Sequence, residues 1–355
     1  MKKLIYIIIV IAIALTACEK TLDFPFEYKK PKLVLNCLLS NTSEIDFSVS
    51  RSMHILDTKE IVKISDADVI IFEDGNPLQV VPVSDGEGNY HVSYIPKVGH
   101  TYRFQVSKDG FETIESEVTI PNPTTINNLS GKYKNGNDPD VYYYGGDFDI
   151  DINFNDNTNE ENYYMISVTA VLPDDLVEYL SNNYSNTYYY DMLDSNYKLN
   201  LECNDMSVNT SSNITLLYLS DEIIGSGNYT MKFTAHDYRD IYGVFYEIIY
   251  SDDIYEENEE EEYEGEDPDN DIEEQPFYRE YEYRLVVHLQ STSKEYYQYM
   301  KSYDQYVEND GNPFAEPTLV KTNVKNGLGI LGASSEITDT LRFTIKNPYL
   351  NEEEE

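Results

Sequence analysis

Asp147-Phe148-Asp149-Ile150-Asp151-Ile152-Asn153-Phe154 settles the class of fold. Every second residue is large and apolar, and every residue between is a short polar one. A strand turns successive side chains to opposite faces, so this stretch has one dry face and one wet face. Half-buried antiparallel strands carry that pattern. It recurs on both sides. Tyr102, Phe104 and Val106 alternate with Arg103, Gln105 and Ser107, and Ile114, Val118 and Ile120 with Glu115, Glu117 and Thr119. Tyr281, Tyr283, Leu285, Val287 and Leu289 share one face, as do Leu341, Phe343 and Ile345. The expected fold is mainly β, as two β-sandwich domains of immunoglobulin or fibronectin type, the second with one or two inserted helices.

Residues 31–121 hold seven short runs of this kind: 32–39, 45–50, 68–72, 79–83, 90–94 and two more ending at Pro121. They predict the N-terminal sandwich. Pro121-Asn122-Pro123-Thr124-Thr125 predicts a linker, because proline cannot continue a ladder. Residues 122–347 predict the second β-rich domain, with strands over 147–154, 163–171, 198–203, 214–219, 228–235, 281–290, 318–325, 328–333 and 338–346. Helices are expected over 174–183 and from about Ser293 to Glu308. Thr292 with Glu295 suits a capping box for the second helix. Tyr296, Tyr299, Met300, Tyr303 and Val307 would form its packing face.

The chain opens MKKLIYIIIVIAIALTACEK. Two lysines precede an apolar run too short to span a bilayer of about 30 Å comfortably as a helix. It reads as a signal peptide over residues 1–17. Leu15-Thr16-Ala17-Cys18 resembles a bacterial lipobox, so Cys18 is the expected lipidation site, followed by a tether to residue 30. A protein held this way meets the membrane through its acyl chains alone.

The formal net charge is −40, from 65 acids and 25 bases, which excludes nucleic acid as a partner. Residues 251–276 form an acidic loop expected to be extended and mobile, and 348–355 an acidic tail. Within the loop, Asp267, Asp269, Asp271 and Glu273 alternate as calcium ligands do. The glycine and closing glutamate of an EF-hand loop are absent, so calcium is a weak expectation there and no other cofactor is expected. Cys37 and Cys203 lie in strand-like stretches and read as buried thiols. An exported compartment also permits a disulfide between them, which spacing does not decide.

Gly327-Leu328-Gly329-Ile330-Leu331-Gly332 matches the spacing of a dinucleotide fingerprint, but the surrounding strand-to-helix context is missing. Asn326-Gly327 reads as a hairpin turn, and the glycines as positions of close backbone packing. Tyrosine is abundant, with 34 residues against no tryptophan. Most suit strand positions; Tyr188, Tyr189 and Tyr190, in a polar stretch, are ligand-binding candidates. The five histidines, at 54, 91, 100, 236 and 288, are scattered, and His236 and His288 fall on polar strand faces. No nucleophile elbow, zinc helix or P-loop motif is present, so no catalytic residue is assigned and the expectation is a non-enzyme.

Several stretches in order resemble one family. They are Pro31-Lys32-Leu33-Val34-Leu35-Asn36, Ser48-Val49-Ser50-Arg51-Ser52, Ala67-Asp68-Val69 and Gly88-Asn89-Tyr90, then Ser293-Lys294-Glu295-Tyr296-Tyr297-Gln298-Tyr299, Asn312-Pro313-Phe314-Ala315-Glu316-Pro317 and Asn323-Val324-Lys325-Asn326-Gly327-Leu328-Gly329-Ile330-Leu331-Gly332-Ala333. Together they are similar to the Bacteroidota lipoproteins known as domain of unknown function 4249. Cys37 departs from that pattern, where a glycine is usual. The resemblance implies an outer-membrane lipoprotein facing the cell exterior that binds a ligand or docks on a TonB-dependent transporter for nutrient uptake. An envelope glycan hydrolase and a structural or adhesive envelope protein are the alternatives.

Overall fold

A computed structural model describes residues 30–53, 60–134, 146–156, 160–183, 197–224, 227–239, 280–310, 315–316 and 318–346. The signal peptide, Cys18, Tyr188–Tyr190, the acidic loop with Asp267, Asp269, Asp271 and Glu273, His54 and the acidic tail lie outside those residues.

The protein is mainly β. The first strands are β1 (Leu33–Ser40), β2 (Ile45–Arg51), β3 (Asp68–Glu73), β4 (Asn76–Pro77), β5 (Val83–Ser84), β6 (Asn89–Val92), β7 (Thr101–Ser107) and β8 (Ile114–Thr119). Next come β9 (Thr125–Lys134), β10 (Gly146–Asp156), β11 (Tyr163–Val171), helix α1 (Asp174–Asn183), β12 (Tyr197–Lys198) and β13 (Asn200–Glu202). They are followed by β14 (Asn209–Thr210), β15 (Leu217–Ser220), the short α2 (Asp221–Ile224) and β16 (Gly227–Asp237). β17 (Glu280–Thr292), helix α3 (Lys294–Asn309) and β18 (Leu328–Lys346) come last.

These strands build one ten-stranded sheet and two four-stranded ones. The large sheet runs β14-β15-β11-β17-β18-β1-β2-β6-β5, with β12 beside β11. One small sheet, β4-β3-β7-β8, covers its β1-β2-β6 half around a core of Leu35, Phe47, Phe104 and Ile114. The other, β13-β16-β10-β9, covers its β11-β17-β18 half around Phe148, Ile152, Val168, Phe233 and Leu285. Two sandwiches therefore share one sheet.

The seam between them is β18. Its first part lies parallel to β1, from Val34 opposite Leu328 to Ser40 opposite Ser334. The rest runs antiparallel to β17, as far as Glu280 opposite Lys346. The spans 328–333 and 338–346, expected as two strands, are one. Residues 318–325 were expected as a strand and form none; only Lys325 makes an isolated bridge, to Glu115. Asn323 supplies the reason. Its side chain accepts from the Leu331 N–H at 3.0 Å and donates to the Leu331 carbonyl at 2.9 Å, doing a backbone partner's work, while Val324 packs into the N-terminal core.

Gly329 makes the parallel pair possible. It sits at φ +97°, and a Cβ there would stand 2.0 Å from the Leu35 carbonyl oxygen. Only glycine tolerates both the angle and the approach. The fingerprint-like spacing is thus a packing device, as its strand context implied.

Two other expectations shift. β9 carries no clean alternation in TINNLSGKYK, yet it pairs along β10 from Asp147 opposite Lys134 to Asn155 opposite Thr125. Ile126, Leu129 and Tyr133 pack against the second core, and a register shift between Asn153 and Phe154 lets residues out of strict alternation do so. The expected strand over 79–83 shrinks to Val83–Ser84, with Pro82 standing before it.

Helix α3 starts one residue later than the Thr292 box implies. Thr292 is the last residue of β17, still paired with Tyr163, so Ser293 becomes the cap. The Ser293 hydroxyl accepts from the Tyr296 N–H at 3.3 Å. Ser293→Ala should lower stability by about 1 kcal/mol in urea unfolding, and an unchanged midpoint would refute that role.

The helix also turns a different face inward. Tyr297 is buried against Tyr163 and Tyr218, at ring distances of 4.9 and 5.7 Å. Asp304 accepts from the Ser212 N–H at 3.0 Å, and Ser302 accepts from the Lys321 N–H at 2.8 Å. Of the expected stripe, Tyr296 and Met300 are half-buried, whereas Tyr303 and Val307 are exposed. Polar anchors set the rotation, and tyrosine tolerates the wet side because its tip is polar. Packed here, α3 covers Met165 and Tyr218 on the outer face of the large sheet, so β11 is buried on both faces.

Candidate functional site

Four polar residues stand where strand alternation calls for apolar ones. Asp156 continues the Phe148, Ile150, Ile152, Phe154 face of β10, and Asp237 continues Met231, Phe233, Ala235 on β16. Ser291 continues Leu285, Val287, Leu289 on β17. Ser335 is its partner across to β18. All four are buried. Strand directions put Asp237 at one end of the second core and the other three at the opposite end.

The Asp237 end is closed by charge pairing. The Arg239 guanidinium donates to Asp237 through Nη2 at 2.7 Å and Nε at 3.0 Å. The Tyr283 hydroxyl donates to the same carboxylate, and Arg239 lies 4.6 Å from the Tyr197 ring centre. Burial and the Asp237 charge push the Tyr283 phenol well above its ordinary range. This is a buried, charge-neutralised plug.

The Asp156 end is different. Its carboxylate accepts a hydrogen bond at 2.7 Å from the Tyr164 hydroxyl and a second from the Asn162 side chain, while Oδ2 has no partner among the described residues. No base pairs with it among the described residues. Burial, with the Asp221 charge nearby, raises the carboxyl's pKa above the usual range. Tyr164, Ser291 and Ser335 sit opposite one another across three strands and so share a face. The Ser291 and Ser335 hydroxyls are also without partners among the described residues. A buried polar group left unpaired is destabilising unless something else satisfies it.

A cavity of about 270 Å³ opens at this end, lined by the Pro121–Thr125 linker, Asn155, Glu160–Tyr164, Ser291 and Thr292. The linker is held down by Thr124, whose hydroxyl donates to the Asn155 carbonyl. The 160–163 turn is held by Asp221, which accepts from the Asn162 N–H at 2.9 Å, and by Glu161, which pairs with Lys294 at 2.6 Å. Among the described residues the Ser291 hydroxyl has no hydrogen-bond partner.

Asp156→Asn tests the carboxyl's state. A folded-state pKa above the unfolded one favours the fold while both forms are protonated. That advantage is lost as pH rises from the unfolded value through the folded one. At neutral pH the asparagine variant should therefore melt higher than wild type, and near pH 3 the gap should close. A lower melting temperature at pH 7 would refute this reading.

The histidines remain dispersed. His91 bridges Asp46 and Glu44, His236 meets Asp147, and His288 meets Glu336, each on an outer sheet face. Among the described residues no three His, Cys, Asp or Glu side chains gather as a metal site, and no helix is long and apolar enough to cross a membrane. Cys37 and Cys203 are both free; Cys37 is buried, and Cys203 is half-buried with its thiol donating to the Lys232 carbonyl at 3.4 Å. Sequence reading passed over Asp156, Ser291 and Ser335. Their signal was present, as polar residues in apolar register.

Fold and cavity together define a β-protein of two sandwiches on one shared sheet, with a small polar recess beside the linker. The chain belongs to the family described as domain of unknown function (DUF4249), which matches residues 19–340. Solved structures give only loose likenesses. The major pilin subunit of Bacillus cereus is 11% identical at a TM-score of 0.17, over 74% of this chain and 65% of that one. The partial N-terminal region of an enterococcal surface protein is 9% identical at 0.17, over 76% and 93%. The B domain of a biofilm associated protein is 8% identical at 0.18, over 86% and 85%. No curated protein matches.

Proposed function

We propose that this is a non-enzymatic, lipid-anchored outer-membrane protein facing the cell exterior. In this reading it takes a small polar ligand into the recess under the Pro121–Thr125 linker and docks on a TonB-dependent transporter. The observation that carries the ligand site is the Ser291 hydroxyl, buried, lining the cavity and without a partner among the described residues. The cavity suits a ligand at or below the smallest common sizes, fixed by a few polar groups. The Leu15–Cys18 motif supports the anchor.

Cys18→Ala should move the protein from the membrane fraction to the soluble one; retention in the membrane would overturn the anchor. Melting-temperature screens of small polar compounds should give stabilisation of wild type that Ser291→Val loses. A compound stabilising both equally would place the site elsewhere. Affinity purification should recover an outer-membrane barrel, and turnover in a glycan-hydrolase screen would overturn the non-enzymatic reading.

A further inference from the structure

We propose that the β1·β18 pair is a load-bearing clamp that carries tension between the membrane anchor and the second sandwich. Among the described residues the first strand, β1, starts at Leu33 and the last, β18, ends at Lys346. The two strands are parallel neighbours, so those points lie at opposite ends of the pair. Tension between them runs along the strands and loads the rungs from Val34 opposite Leu328 to Ser40 opposite Ser334 together, in shear. Tension applied at one end of the same pair would open the rungs one after another. Shear must break many hydrogen bonds in a single barrier, and resistance to forced unfolding is set by that barrier rather than by equilibrium stability.

Three further observations reinforce the pair. β1 is held on its other side by β2, from Leu33 opposite Arg51 to Cys37 opposite Phe47. Leu33, Leu35, Cys37 and Leu39 are all buried, so sliding β1 would drag apolar surface out of the core. Beyond Ser334 the same β18 continues through Ser335–Lys346 as a strand of the second sandwich. Tension entering at β1 therefore passes into the second core along one unbroken strand. Gly327 and Gly329, whose added Cβ atoms would meet the Leu33 and Leu35 carbonyls at 2.9 and 2.0 Å, are what let the two backbones lie this close.

The direction of load in the cell rests on lipidation at Cys18, which the Cys18→Ala fractionation tests separately. The clamp itself is tested on the full mature chain by single-molecule pulling in two geometries. One pulls the N-terminus against the C-terminus. The other pulls the N-terminus against a handle at Lys325→Cys, at the near end of β18, in a Cys203→Ser background. The expected result is a rupture force several-fold higher in the first geometry. Equal forces, or a lower force in the first, would overturn the proposal. Gly329→Ala, where it folds, should lower the first force and leave the second little changed; an unchanged first force would also overturn it.

Discussion

Gly329→Ala will destabilise the fold by at least about 3 kcal/mol, well beyond what its backbone angle alone demands. A non-glycine residue at φ +97° costs about 1–3 kcal/mol in strain. The added carbon would also stand 2.0 Å from the Leu35 carbonyl oxygen, a backbone atom that cannot rotate away. Relief requires β1 and β18 to separate. Each hydrogen bond weakened by that movement is worth about 0.5–1.5 kcal/mol. The control is Gly110→Ala, at φ +87° with nothing within 4 Å of the added carbon. Urea unfolding of both variants separates strain from collision. Equal losses would show that close approach at Gly329 is not what demands a glycine there.

The second large effect is expected at the Asp237 plug. Arg239→Met should lower stability by about 3–5 kcal/mol, because it leaves a buried carboxylate uncompensated. The pair Asp237→Leu with Arg239→Met should lose less than Arg239→Met alone, since both charges leave together. The contrast is Arg342 with Glu282, 2.6 Å apart but more than half exposed on both sides. Breaking that exposed pair should change stability by under about 1 kcal/mol. A similarly small loss for Arg239→Met would mean water reaches the Asp237 end after all.

The two ends of the second core thus hold the same kind of residue in opposite states. Asp237 has an arginine, a tyrosine and a ring around it, whereas Asp156 has only the Tyr164 hydroxyl and the Asn162 side chain, and no base among the described residues. Both carboxylates were legible as interruptions in an apolar face. Their different fates were not, because Arg239 reaches Tyr283 across 44 positions and Tyr164 meets Ser291 only through strand pairing. For helix α3, the spacing of tyrosines was visible but not its rotation. Asp304 and Ser302, polar in sequence, face inward because their partners, the Ser212 and Lys321 N–H groups, lie on two neighbouring loops.

Local sequence alone marked most of the strands, since side-chain alternation is a property of a few consecutive residues and one wet face, but not β9, which lacks that alternation, nor the absence of a strand over 318–325. It also marked the Leu15–Cys18 motif, the acidic blocks and the glycines that forbid side chains. Tertiary structure decided how the strands assemble. Residues 34–40 and 328–334 are parallel partners separated by most of the chain, and backbone hydrogen bonds carry no local signature of whom they will join. Only the assembled cores, with Val324, Leu331 and Ala333 filling the first sandwich and Ile345 the second, hold β18 against both.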